Sequence, residues 1–170
     1  MLNTNANVPV PEESAKATQV QAAQVLRQFR VVFNAVRTHF QQVERQVGIG
    51  GAKVWALHLV HQQPGISMGE LARAMDIHQS TASNLVKFLS KKKLLRIEKA
   101  KEDRRGVRLF VESDAVALLQ GAPMPYEGVL PKALQDLPID TLAQLQKSLS
   151  QLILALEAEN TAAGIPLAEL

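Results

Sequence analysis

Residues 78–93 read HQSTASNLVKFLSKKK. Wound at about 100° per residue, this stretch puts Ala82, Leu85, Val86 and Leu89 on one side. Ser80, Asn84, Lys87 and Lys91 fall on the other, flanked by Thr81 and Ser83. His78 stands at the N-cap and Gln79 in the first turn. An exposed helix face usually carries Glu, Lys, Gln and Ala. Ser, Thr and Asn weaken a helix because they compete for backbone hydrogen bonds. Their crowding at one end of an amphipathic helix calls for a reason beyond solubility.

The flanking sequence supplies one. Upstream, Ser67-Met68-Gly69-Glu70 is a capping-box pattern that starts a short helix, SMGELARAM. Asp76-Ile77 then makes a tight link to the opening stretch. Downstream the hydrophobic period changes from helical to alternating. Leu95 and Ile97 alternate with Arg96 and Glu98, and Val107, Leu109 and Val111 alternate with Arg108 and Phe110. The charged segment KEDRRG lies between these two strands as a hairpin tip. A short capped helix, a tight turn and a second helix make a helix-turn-helix, and the hairpin after it is a wing. Short polar side chains at a helix N-terminus can enter the major groove of DNA and read base edges. Lys87 and Lys91, further along, would neutralise phosphates. Arg104 and Arg105 at the wing tip are placed to reach a minor groove. The plainer alternative is a helical pair with a surface hairpin and no ligand.

Charge distribution favours the first reading. The 170-residue chain has a formal net charge of +3. Residues 87–108 hold ten basic residues against three acidic ones, a local balance of +7 set against −4 for the rest. Such asymmetry marks a surface for a polyanion.

Two apolar seams flank this module. In residues 18–47, Leu26, Phe29, Phe33, Val36, Phe40, Val43 and Val47 are spaced 3, 4, 3, 4, 3 and 4. In residues 139–160, Leu142, Leu145, Leu149, Leu152 and Leu156 repeat that spacing. Both are heptad seams. They can pair with each other inside one subunit, or with a second copy; pairing two copies doubles the contacts to DNA. The helix AKVWALHLVHQ, 52–62, is apolar nearly all round and belongs in a core. Residues 114–121 form a short helix, and GAPMPYEGVLP is a proline-broken link. Residues 1–17 read as a disordered tail. The expected organisation is therefore a tail (1–17), a helical dimerisation region (18–50 and 114–170) and a winged helix-turn-helix domain (51–113). The fold class is mainly α with a small β-hairpin wing, α+β.

The chain contains no cysteine, which excludes disulfides, thiolate metal sites and cysteine nucleophiles. That suits the cytoplasm, as does the lack of a signal-peptide pattern and of a membrane-length apolar run. No glycine-rich phosphate loop, nucleophile–base pair or paired carboxylates stand out, so the chain does not read as an enzyme.

From Glu70 to Ser113, ELARAMDIHQSTASNLVKFLSKKKLLRIEKAKEDRRGVRLFVES resembles the MarR family (multiple-antibiotic-resistance regulators) of transcription factors. The resemblance rests on Leu-Ala, a recognition helix, Lys-Leu-Leu-Arg and then Asp103-Arg104-Arg105-Gly106. It implies a homodimer whose first and last helices interlock, acting as a repressor eased off a two-fold symmetric operator by a small molecule. It implies that Gln79, Ser80, Thr81, Ser83 and Asn84 read the major groove. Arg105 would enter the minor groove, Asp103 would hold the wing in shape and Ser67 would contact phosphate. It also implies a site for a small aromatic or phenolic acid between dimer helices and winged domain, for which His39, Trp55, His58 and His61 are the candidates. The plainer reading of these histidines is half-buried packing. His58-x-x-His61 has metal-pair spacing but lacks Cys or carboxylate company in its helix, so no metal and no cofactor are expected. Two features depart from the family pattern: the absence of cysteine excludes an oxidation-sensing branch, and the 121–131 link is unusually rich in proline. An alternative function is a winged-helix module for protein–protein assembly without DNA readout.

Overall fold

The computed structural model describes residues 12–100, 106–157 and 163–169. The elements in chain order are α1 (Glu12–Val47), α2 (Gly51–Gln62), β1 (Ile66–Ser67), α3 (Met68–Ala74), α4 (Gln79–Lys91), β2 (Leu95–Lys99), β3 (Val107–Val111), α5 (Ser113–Gly121), α6 (Val129–Gln135) and α7 (Ile139–Ala155). A single 3-10 turn, Leu167–Glu169, follows. Among the described residues no helix is long and apolar enough to cross a membrane.

The chain divides into two compact units, the first reaching Ala35 and the second running from Val36 onward. The first holds most of α1. Helix starts at Glu12 instead of the expected 18, so part of the predicted tail is helical. Ala15, Lys16 and Ala17 are good helix formers, and nothing after Pro11 interrupts them. In this unit Phe29 and Phe33 stack with ring centroids 6.0 Å apart. Val20, Val25, Leu26, Val31, Val32 and Phe33 are exposed.

The second unit contains the core. Its most deeply buried side chains are Val43, Val54, Leu57, Val60, Leu71, Val86, Leu89 and Leu109. They come from α1, α2, α3, α4 and β3. The α1 seam is therefore divided: Val43 is core, whereas Phe33 is 64% exposed. The unit that holds the core thus begins inside α1, at Val36. Phe40 explains two glycines. A Cβ at Gly51 would lie 2.2 Å from its ring, and one at Gly128, where φ is +103°, would lie 2.7 Å from it. Only glycine lets both backbones approach.

The sheet has three strands in the order β1-β3-β2, all antiparallel. Leu109 pairs with Ile66 on one side and Ile97 on the other. Strand β1 has two residues, too few to show a period, and it was not foreseen. Leu95 is buried and Ile97 is 42% exposed, so the hairpin leaves the core as it extends toward its tip. The tip itself, with Asp103, Arg104 and Arg105, lies outside the described residues.

The short helix expected at 114–121 is α5, and the proline-rich link after it is an irregular segment with a cis Met124–Pro125 peptide that leads into α6. Pro131 sits in the first turn of α6, where its missing N–H costs no intrahelical bond. Helix α7 ends at Ala155, five residues before the expected 160, and residues 158–162 lie outside the described residues. None of its seventeen residues is buried. Leu145, Leu152, Ile153, Leu154 and Leu156 are all exposed.

Candidate nucleic-acid interface

Helix α4 is set by caps at both sides of the turn before it. Ser67 Oγ accepts from the Glu70 N–H at 3.3 Å, and Glu70 Oε2 accepts from the Ser67 N–H at 2.8 Å. This reciprocal box starts α3. Its side-chain and backbone bonds to Ser67 hold the Glu70 carboxyl below its ordinary range, with the Arg108 charge adding to the effect. At the other end of α3, Ile77 N–H donates to Ala72 O and Asp76 N–H to Arg73 O. Asp76 adopts φ +52°, so the pattern is a Schellman stop with aspartate in the left-handed position. That stop turns the chain within four residues from α3 into α4. His78 has extended backbone at the N-cap, and its carbonyl accepts from Ala82 N–H at 3.1 Å.

The buried stripe of α4 is Ala82, Leu85, Val86 and Leu89. Gln79, Ser80, Asn84, Lys87 and Lys91 are exposed, and Thr81 and Ser83 are half-buried at the margins. The polar residues thus form one continuous outward face ending in cations. Ser67, half-buried, uses its oxygen as an acceptor in the cap, which leaves its hydroxyl proton uncommitted by that bond.

The basic patch is smaller than the count of arginines and lysines implied. Arg96 pairs with Glu98 and Glu112 and lies over the Phe110 ring, 4.9 Å from its centroid. Arg108 donates to Gly65 O at 3.1 Å and faces Glu70 Oε2 at 3.7 Å. Both brace the wing stem. Lys87, Lys91, Lys92, Lys93 and Lys99 are exposed and form no ion pair among the described residues.

Three of the four predicted effector residues meet at a second place. Trp55, His58 and His61 line an open cleft of about 520 Å³ between α2, α5 and the Met124–Glu127 segment. His58 lies against Tyr126, with ring centroids 4.5 Å apart. Burial, then the nearby His61, lowers its pKa from the ordinary 6.5, with Glu127 opposing. His39 does not belong to this cleft. It is buried, its Nε2 is 3.0 Å from the Pro125 carbonyl, and its ring meets Phe40 edge-on. The sequence grouped it with the others because exposure cannot be read from a lone histidine. Among the described residues no three His, Asp or Glu side chains are grouped to hold a metal ion.

A capped short helix, a polar-faced second helix and a three-stranded wing stem define a winged helix-turn-helix protein. Residues 47–106 match the MarR family model, the same region that carries the sequence resemblance. No curated protein sequence matches the chain. Among solved structures, the Staphylococcus aureus MepR–DNA complex is 20% identical with TM-score 0.54, covering 76% of this chain and 96% of that one. Reduced AbfR bound to DNA is 15% identical with TM-score 0.52, covering 82% and 98%. Streptococcus pneumoniae FabT in complex with DNA is 14% identical with TM-score 0.50, covering 80% and 97%. At these identities the likeness is one of fold.

Proposed function

We propose that the protein is a cytoplasmic, homodimeric, sequence-specific regulator of transcription that binds double-stranded DNA, most simply as a ligand-responsive repressor. The outward face of α4 carries this reading. Gln79, Ser80 and Asn84 are exposed opposite a fully buried stripe, a composition that costs helix stability and suits base edges. Lys87 and Lys91 continue the face toward phosphates, and Ser67 adds a hydroxyl donor. Asp103, Arg104 and Arg105 belong to the minor-groove arm of the same reading. The DNA complexes of similarly folded MepR, AbfR and FabT support it.

Two-fold pairing is supported by the exposed apolar residues of α1 and of α7. Patches of that kind on a small chain ask for a partner. A dimer would present two α4 helices to half-sites ~34–36 Å apart, a symmetric operator. The cleft beside Trp55, His58 and His61 is the proposed effector site, and its aromatic walls suit a planar ring.

Titrating salt against a mixture of duplex DNA tests the DNA reading. Binding that weakens steeply between low and physiological salt supports it. Salt-independent association with protein partners and none with DNA would favour an assembly module instead.

A further inference from the structure

The segment from Ala163 to Glu169 forms a strap across α2 and the start of α4. His78 N–H donates to Gly164 O at 3.3 Å. A Cβ at Gly164 would lie 2.5 Å from His78 Cδ2 and 2.6 Å from Nε2, so any larger residue there would push the His78 ring aside. Pro166 is buried, and Glu169 Oε1 accepts from Lys53 Nζ at 2.8 Å. Beneath the strap lies a cavity of about 220 Å³. Its floor is Met75 to Ile77, the turn between α3 and α4. Phe40, Trp55 and Tyr126 wall it, and Pro166 and Leu167 roof it. It shares only Trp55, Tyr126 and Glu127 with the open cleft on the other side.

The chemistry of this lining is one-sided. Asp76 and Glu127 contribute carboxylates, and among the described residues no Lys, Arg or His is part of it. The neighbouring Lys53 ammonium is engaged by Glu169. Phe40, Trp55 and Tyr126 line it, aromatic rings whose faces attract a cation, and the carboxylates supply counter-charge. An aryl carboxylate would meet like charge on both sides. The volume exceeds the ~150 Å³ apolar cavity that accepts benzene, so it suits one substituted ring.

We propose that the roofed cavity is a binding site for a small aromatic cation, such as an aryl ammonium, separate from the open cleft. Its occupant would touch both the helix-turn-helix turn and the strap that holds His78. Binding there would therefore alter how the N-terminus of α4 is held. That last step rests on the DNA-binding reading; the binding itself does not.

Trp55 is the only tryptophan and lines both the cavity and the cleft, so its emission reports binding and the variants below assign it to one of the two. Phenyltrimethylammonium titrated into the full chain, followed by Trp55 emission and calorimetry, should give saturable binding about tenfold tighter than benzoate. Glu127→Gln should weaken it several-fold. Leu167→Phe, which narrows only the roofed cavity, should abolish it, and Val116→Phe, which narrows only the open cleft, should leave it intact. No saturation at millimolar ligand, tighter binding of benzoate, or loss with Val116→Phe but not with Leu167→Phe would overturn the site. Saturating ligand should also change duplex affinity at least twofold. Unchanged duplex affinity with intact ligand binding would overturn the coupling alone. Failure to bind duplex under any condition would count against the regulator reading, leaving the site.

Discussion

Ser67 and Glu70 cap each other's backbone N–H groups, at 3.3 and 2.8 Å, and the same Glu70 carboxylate faces Arg108 of β3. One short motif therefore starts the first helix of the helix-turn-helix and links it to the wing stem. Ser67→Ala removes one half of the box and should cost about 1 kcal/mol. Urea denaturation, with midpoint lowered and slope unchanged, is the check. The hydroxyl lost would also remove a phosphate donor, so duplex affinity should fall more than stability accounts for.

Asn84 and Lys87 are neighbours on the exposed face of α4 with different expected roles. Asn84→Ala should lower discrimination between preferred and altered duplexes by about 1–3 kcal/mol while leaving the helix folded. Lys87→Ala should weaken all duplexes alike and reduce the slope of log affinity against log salt by about 1. Fluorescence anisotropy at several salt concentrations separates the two. A uniform loss with Asn84→Ala would remove that residue from base readout.

Leu152 is 38% exposed on α7, a helix with no buried residue. Leu152→Asp should convert the dimer to monomer in sedimentation while circular dichroism keeps its helical signal. A dimer that survives this change would locate the interface elsewhere.

His58 has its pKa lowered from 6.5 by burial first and by His61 second. Below 6.5 the unfolded chain takes up a proton that the folded chain resists, so stability should fall as pH drops through that window and stay flat above it. His58→Gln should flatten the slope. A slope unchanged by this substitution would assign the titration to another group.

The sequence carried the helix-turn-helix and wing-stem part of the fold well. The α4 stripe, the capping box and the alternating residues of β2 and β3 each have a local period or spacing, and local patterns survive without coordinates. What was missed depends on distant partners. Val43 and Phe33 lie on one heptad seam, yet one is core and the other is exposed. Arg96 and Arg108 count toward a basic patch until Glu112, Glu70 and the Gly65 carbonyl are brought beside them. His39 reads like His58 until the Pro125 carbonyl approaches it. The strap at Gly164 has no periodicity at all, and only its approach to His78 reveals it.

Selection of bound sequences from random duplex DNA by the purified protein tests the central claim most directly. Two α4 helices presented by a symmetric pair should enrich an inverted repeat with half-sites centred about one helical turn apart, and Asn84→Ala should blur the same positions in both halves. Recovery of unenriched random sequence, or of a single asymmetric half-site unaffected by Asn84→Ala, would contradict it.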